Sequence, residues 1–157
     1  MVITMDFRRA ETKDLAALRA IAHDSEAYWG YDQAFMNVFD QTFNITAAFI
    51  RENPVYIGWE DHQPVCFWGA LPKGAMLTGS SCELEYFYVS AKHMGKGLGK
   101  IMWEHFMEWC RHSTITEVSL VTSPQATGFY EKMGCIFSGT AISPIDGRPI
   151  PQLLYRL

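Results

Sequence analysis

The sequence predicts a single domain of the mixed α/β class. Its 157 residues are the length of one domain, and a hydrophobic fraction of 48% is enough to fill one core. Short apolar runs typical of strands alternate along the chain with segments whose apolar residues recur at helical spacing. This alternation continues over residues 1–157 without a repeat or a linker, which indicates one sheet packed against helices.

The N-terminal half combines strands, short helices and an aromatic segment. Thr12 is the expected N-cap of the first long helix, and Thr46 is the expected N-cap of a shorter helix that ends before Pro54. In chain order, the predicted elements are a strand over residues 1–7, the first helix, an irregular aromatic segment over 28–43, the shorter helix, and strands over 55–60 and 65–71 joined by a turn.

The C-terminal half contains the most regular helical pattern of the chain, which runs from Leu98 to about His112. A second helix over residues 124–133 is expected to end at Gly134. The remaining predicted elements are a loop over 77–81, strands over 82–89 and 117–122, and two last strands over 136–140 and 152–157 around a turn.

Composition bounds the function. The formal charge of −4 and the pI of about 5.7 argue against a nucleic-acid partner and are compatible with a cationic substrate. No window has the roughly 18 consecutive apolar residues of a membrane span, and residues 1–9 lack the pattern of a signal peptide, so we expect a cytoplasmic protein without a membrane partner. The four cysteines form no Cys-x-x-Cys pair, which predicts buried thiols and no metal site.

Three alternate glycines stand between a strand and the long amphipathic helix. Residues without side chains let a ligand approach the backbone, and the free N–H groups of a helix start favour an anion, which predicts a phosphate site. The spacing fits neither the Gly-x-Gly-x-x-Gly of dinucleotide-binding units nor the Walker pattern. The segment comprises Met94, Gly95, Lys96, Gly97, Leu98, Gly99 and Lys100.

This segment resembles the acetyl-coenzyme A signature Gln/Arg-x-x-Gly-x-Gly/Ala of the GNAT superfamily of N-acetyltransferases. Met94 stands where the family prefers Gln or Arg. Residues 123–134 are similar to a second family pattern, Asn-x-x-Ala-x-x-Phe-Tyr-x-Lys-x-Gly, with Ser123 in place of Asn. The resemblance is close over residues 82–140.

The resemblance implies a central, mostly antiparallel sheet that splays at the cofactor site and is flanked by helices. Acetyl-CoA would be the cosubstrate, with its pantetheine arm along the backbone of Phe87, Tyr88 and Val89. The glycine-rich segment, Ser123 and Phe129 would complete the cofactor contacts.

Tyr130 is the general acid that the resemblance implies, because a neutral phenol can protonate a departing thiolate. The alternative is an ordinary Phe-Tyr pair on a packed helix. Glu83 and Glu85 lie two apart on one strand, hence on one face, and either could accept the proton of an ammonium group. The alternative for each is a solvated carboxylate at a strand start.

The acceptor side is indicated by Tyr28, Trp29 and Tyr31, which lie in the variable helical part of the family with Glu26 nearby. They could hold a small cationic amine, or could equally be packing residues. The sequence therefore predicts an N-acetyltransferase that moves an acetyl group to a small-molecule or peptide amine by direct attack in a ternary complex. The alternative is a non-catalytic CoA-binding sensor of the same fold, and a homodimer is compatible with either.

Overall fold

The computed structural model describes residues 5–76 and 79–157, and within them seven strands form one sheet. The strands are β1 (Asp6–Arg9), β2 (Val55–Glu60), β3 (Gln63–Met76), β4 (Gly79–Val89), β5 (Ile115–Val121), β6 (Ile136–Ile142) and β7 (Pro149–Arg156). The helices are α1 (Leu15–Ala27), α2 (Gln33–Val38), α3 (Ala47–Glu52), α4 (Leu98–His112) and α5 (Thr127–Lys132). In the described ranges no helix is both long and apolar enough to span a membrane.

The sheet is mixed, with the strand order β1-β2-β3-β4-β5-β7-β6. β4 and β5 run parallel, whereas every other neighbouring pair in the described part of the chain is antiparallel. The predicted α/β class and the mostly antiparallel sheet flanked by helices are therefore confirmed.

The helices cover both faces of the sheet and bury a separate core on each. On one face, Met102 and Phe106 of α4 pack against strand residues such as Trp68. On the other face, Leu18 of α1 packs with the short helical segments against strand residues such as Phe67. Trp68 and Phe67 are neighbours on β3, so the alternation of side chains along a strand assigns them to opposite faces.

The aromatic segment predicted to be irregular contains α2 and a π-helix over Phe39–Phe43. Asp32 caps α2, since its Oδ1 accepts a hydrogen bond of 2.8 Å from the N–H of Phe35. The π-helix is fastened to α1 by Arg19, which donates to the carbonyl of Asp40, and by His23, whose Nδ1 lies 2.8 Å from Oδ2 of Asp40. These contacts hold the segment in one position beside the sheet.

Two local predictions were wrong. The helical region begins one residue early, because the N–H of Glu11 donates to Asp14 at 2.8 Å and Thr12 starts a 3₁₀ turn (Thr12–Asp14) ahead of α1. Residues 79–81 were predicted to be a loop, but they open β4, where the N–H of Ser80 donates to the carbonyl of Thr114 at 3.1 Å. Residues 77 and 78 of that predicted loop, and the first four residues of the predicted first strand, lie outside the described residues.

Candidate active site

A β-bulge interrupts β4 at Glu85. Tyr86 pairs with Gly69 of β3 while Leu84 pairs with Ala70, so Glu85 has no partner across the ladder. One extra residue reverses the alternation of side chains, and Leu84 accordingly belongs to the core beneath α4 whereas Tyr86 belongs to the core beneath α1. The expectation that Glu83 and Glu85 share a face rested on regular alternation, which this bulge breaks.

β4 and β5 separate on the other side of the same bulge. Their parallel pairing ends at Glu83 and Ser119. β5 remains paired with β7 as far as Val121 and Gln152. The last residues of β4 therefore turn backbone groups towards a gap instead of towards β5.

A cavity of about 460 Å³ opens at this gap between β4 and β5. Leu84, Glu85, Phe87, Tyr88 and Val89 of β4 line one side of it. Val121 and Ser123 line the other side, at and just after the end of β5. The pantetheine positions predicted on β4, namely Phe87, Tyr88 and Val89, thus lie together on one wall.

The glycine-rich segment forms one end of the cavity. Gly95 and Gly97 have φ values of 78° and 81°, which side chains other than glycine rarely adopt. Gly97 is the N-cap of α4, whose first N–H groups have no partner within the helix. Met94, Gly95 and Gly99 line the cavity.

The other predicted members of this segment lie around the cavity without lining it. Lys96, Gly97 and Lys100 are exposed at the surface beside it. Leu98 is buried in the core beneath α4, so only its backbone is available to a ligand. The two lysines therefore border the start of α4 as mobile positive charges.

Tyr130 lies on α5 against the cavity wall. Its side chain is buried between Phe87 and Trp103, with ring centroids 5.8 and 6.1 Å away. Burial raises the pKa of its phenol well above the usual value, so the group is neutral and carries its proton at physiological pH. Ser123 and Phe129, the other cofactor positions predicted here, also line the cavity.

The two β4 carboxylates have different surroundings. Glu85 lines the cavity, and burial, followed by the nearby charge of Glu83, raises its pKa. Glu83 is not part of the cavity lining, and its Oε2 lies 3.1 Å from Nζ of Lys73. The lysine charge acts against the shift at Glu85.

The predicted acceptor residues, which follow α1 in the chain, form a further wall of the cavity. Tyr28, Trp29 and Tyr31 all line the cavity, and Tyr28 and Trp29 are exposed at its mouth. Tyr31 stacks on Phe35 with centroids 3.8 Å apart, and the guanidinium of Arg148 lies 5.4 Å from the Tyr31 ring centroid. The aromatic residues of this segment therefore form a wall and not only a packed core.

Several lining residues carried no signal in the sequence. Phe43 reaches the cavity from the π-helix, and Gln125 accepts a hydrogen bond of 3.3 Å from the hydroxyl of Tyr31, 94 positions earlier. Ser143 and Ile145 come from the connection between β6 and β7. Their roles depend on long-range contacts, which no local pattern records.

Several solved N-acetyltransferases share this fold. The PaiA N-acetyltransferase of Thermoplasma acidophilum, in complex with coenzyme A, superposes with a TM-score of 0.77 at 15% identity, covering 99% of this chain and 100% of that one. A GCN5-related N-acetyltransferase of Rhodopseudomonas palustris gives 0.77 at 18% identity, covering 100% and 99%. Arabidopsis thaliana Naa50, in complex with the bisubstrate analogue CoA-Ac-MVNAL, gives 0.74 at 13% identity, covering 99% and 100%.

Sequence comparison identifies the family. The profile of the acetyltransferase (GNAT) family matches residues 16–135. The peptidyl-lysine N-acetyltransferase YjaB of Salmonella typhimurium is 31% identical over 112 residues, which are 69% of this chain and 68% of that protein. The chain belongs to the GNAT acetyltransferase family.

Proposed function

We propose that this protein transfers an acetyl group from acetyl-CoA to a primary amine that attacks the thioester directly in a ternary complex. The observation that carries the proposal is the cavity between the diverging ends of β4 and β5. It joins the glycine-rich start of α4 to a wall that holds Glu85 and Tyr130.

Acetyl-CoA would lie along this cavity as a strand-like ligand. Beyond Glu83 the backbone of β4 is unpaired on the side of β5, where it offers hydrogen bonds to the amides of the pantetheine arm, with Phe87, Tyr88 and Val89 as its neighbours. The pyrophosphate would lie at residues 94–100, where free N–H groups and two lysines favour an anion. The complexes of PaiA with coenzyme A and of Naa50 with a CoA conjugate support this cosubstrate.

The chemistry follows from the groups on the cavity wall. The ammonium group of the acceptor would lose a proton to Glu85, directly or through water, and its nitrogen lone pair would then attack the thioester carbon. A free backbone N–H of β4 would stabilise the oxyanion. As the C–S bond breaks, Tyr130 would give its proton to the thiolate, and the nitrogen would lose its second proton to the resulting tyrosinate, directly or through water. Glu85 would release the first proton to solvent, leaving an amide and free CoA.

Glu83 remains the second candidate for the base. Its ion pair with Lys73 directs the carboxylate towards that lysine and not into the cavity. We therefore favour Glu85 as proton acceptor and Glu83 as the charge that tunes it.

Direct attack is favoured over an acetyl-cysteine intermediate. Cys66, Cys82, Cys110 and Cys135 are all buried. Cys135 is the nearest in sequence to Tyr130, and burial raises its pKa to about 12, so it holds almost no thiolate at neutral pH. Burial likewise raises the pKa of Cys66 to about 12.

The acceptor class follows from the wall opposite the cofactor and from the relatives. Aromatic rings and carboxylates suit a cationic amine. The name of the Salmonella relative adds a lysine side chain as a candidate, and a small alkylamine offers the same reacting group.

The test measures CoA release from acetyl-CoA over a panel of alkylamines, polyamines, amino acids and lysine peptides, beside equilibrium binding of acetyl-CoA. Turnover on at least one amine supports the enzyme. Tight acetyl-CoA binding without turnover on any amine would instead support the non-catalytic sensor. Absence of acetyl-CoA binding would contradict both.

A further inference from the structure

Glu26 is a carboxylate on the cavity wall that the chemistry above does not use. It lies in the last turn of α1 and shares the cavity with Glu85 and Tyr130. Within residues 5–76 and 79–157, the side chain of Glu26 forms neither an ion pair nor a hydrogen bond. Glu83, by contrast, is paired with Lys73. Among these residues, the Glu26 carboxylate therefore has no direct partner.

The position is unfavourable for a carboxylate. Burial raises the pKa of Glu26 to about 7, and the charge of Arg148 offsets this only in part. The last turn of a helix also carries the negative end of the helix dipole, which disfavours an acid. Packing explains the position of the backbone, because Ile21, Ala22 and Ser25 of α1 are buried, but it does not explain the choice of a carboxylate.

Arg148 does not provide the missing partner. Its Nε lies 2.5 Å from Oδ2 of Asp146, and its Nη2 lies 3.5 Å from the hydroxyl of Tyr31. Its guanidinium rests over the rings of Tyr31 and Phe35, at 5.4 and 5.8 Å from their centroids. A cation is thus already accommodated on this aromatic wall, with Asp146 balancing its charge.

The remaining groups that influence Glu26 leave the site short of positive charge. From β4, Tyr88 is neutral because burial raises its pKa well above the usual value, and Glu85 lines the same cavity. From α5, Tyr130 is also neutral. With Arg148 balanced by Asp146, the carboxylates of Glu26 and Glu85 make the cavity attractive to a cation.

Resting on the proposed function, we propose that Glu26 binds the ammonium group of the acceptor, so that the site selects cationic primary amines over neutral molecules of the same shape. Glu26 is then a specificity-determining contact, while proton removal and thiolate protonation are left to Glu85 and Tyr130. The alkyl chain of the acceptor would lie against Phe35 and Phe43, which line the same wall.

Binding of the cation must draw the Glu26 carboxyl towards its charged form. The pKa of about 7 means that a sizeable fraction of Glu26 is protonated at pH 7 before the amine arrives. An adjacent ammonium lowers that pKa, so amine binding releases a proton. Glu85, whose pKa is also raised in this cavity, can contribute to the release, so the part assigned to Glu26 is the part that Glu26→Gln removes.

The first experiment measures binding of hexylamine to the protein saturated with CoA, by calorimetry at pH 7 in two buffers of different ionisation enthalpy. We expect hexylamine to bind at least about tenfold more tightly than 1-hexanol, with release of a fraction of a proton. Glu26→Gln should remove the preference and reduce the proton release. Asp24→Asn removes the same charge from an exposed residue of α1 and should alter neither.

The second experiment separates this inference from the proposed function. With an amine that turns over, Glu26→Gln should raise KM about tenfold or more and change kcat by less than about threefold. Glu26→Asp, which keeps the charge, should restore part of the affinity. Equal hexylamine and hexanol affinities in the wild type, or unchanged amine affinity in Glu26→Gln, would overturn the inference even if acetyl transfer occurs. Amine binding that depends on Glu26 without any CoA release would uphold it and count against the proposed function.

Discussion

Glu83 of β4 and Ser119 of β5 form the last pair of the parallel ladder, two residues before the bulge at Glu85. A bulge bends its strand and increases the local twist. Beyond this point β4 stays paired with β3 and β5 stays paired with β7, so the two parts of the sheet separate and the cavity opens between them. The irregularity that creates the cavity is therefore also the one that turns a carboxylate towards it.

Replacing Tyr130 with Phe tests whether Tyr130 is the general acid that protonates the thiolate of CoA. The ring packs between Phe87 and Trp103, and Phe preserves that packing while it removes the proton. We expect kcat to fall by about 10² to 10⁴ with acetyl-CoA affinity unchanged. Tyr155→Phe, which removes a hydroxyl elsewhere in the same core, is the control and should leave kcat unchanged. Full activity in Tyr130→Phe would remove the phenol from the mechanism.

The two charges beside Glu85 should shift the pH profile in opposite directions. The charge of Glu83 raises the pKa of Glu85, and that of Lys73 lowers it. If Glu85 is the base, Glu83→Gln moves the acid limb of kcat/KM to lower pH, and Lys73→Gln moves it to higher pH. Glu85→Gln should reduce kcat by about 10² or more. A collapse of kcat in Glu83→Gln with normal activity in Glu85→Gln would assign the base to Glu83 instead.

A pair of glycines tests the fit between the glycine-rich segment and α5. A Cβ on Gly99 would lie 2.9 Å from Cε1 of Phe129, a ring that lines the cavity. Gly99→Ala should therefore displace Phe129 and weaken acetyl-CoA binding, since such overpacking costs about 1–3 kcal/mol. The measurement is calorimetric titration with acetyl-CoA.

Gly128 is the matched control for that substitution. It lies in α5, is exposed, and has no atom within 4 Å of an added Cβ. Gly128→Ala should raise the free energy of unfolding by about 0.4–1 kcal/mol, because alanine has fewer backbone conformations to lose on folding, and leave acetyl-CoA affinity as it is. Equal affinity losses in the two variants would show that the contact with Phe129 is not the cause.

The sequence predicted the elements whose causes are local. Two apolar runs on either side of a turn located the hairpin of β2 and β3, although β3 extends beyond the predicted 65–71, and helical spacing located α4. The bulge at Glu85 could not be predicted, because it depends on the register between β3 and β4. Strand pairing likewise overrode the polar, loop-like composition of residues 79–81.

The residues of the candidate site also fall into those with a local sequence pattern and those brought together only by the fold. The glycine-rich segment and the motif around Tyr130 are each contiguous in the chain, so both could be predicted as parts of a site from the sequence, and their roles stay predictions. Glu26 could be placed near the acceptor residues from the sequence, but its meeting with Gln125 and Arg148, from two distant segments, depends on the fold. The π-helix that brings Phe43 to that wall depends on Arg19 and His23 of α1, so it had no local signature.

His105 should make the stability of the fold depend on pH. Its Nδ1 accepts a hydrogen bond of 3.0 Å from Nε1 of Trp68, which is fully buried, and its ring stacks on Phe7. Burial lowers the pKa of His105 below its usual value of 6.5. As the pH falls below about 6.5, the unfolded chain binds a proton that the folded protein resists, so the free energy of unfolding should decrease.

Two variants isolate that contribution in urea unfolding between pH 5 and 8. His105→Gln retains an acceptor for Trp68 without a titrating group, so it should flatten the wild-type decrease while keeping most of the stability at pH 8. His105→Leu leaves the Trp68 N–H buried without an acceptor and should lose about 1–3 kcal/mol at every pH. If the wild type and His105→Gln lose stability in parallel as the pH falls, the pH dependence originates in other groups, and the Trp68–His105 bond does not control it.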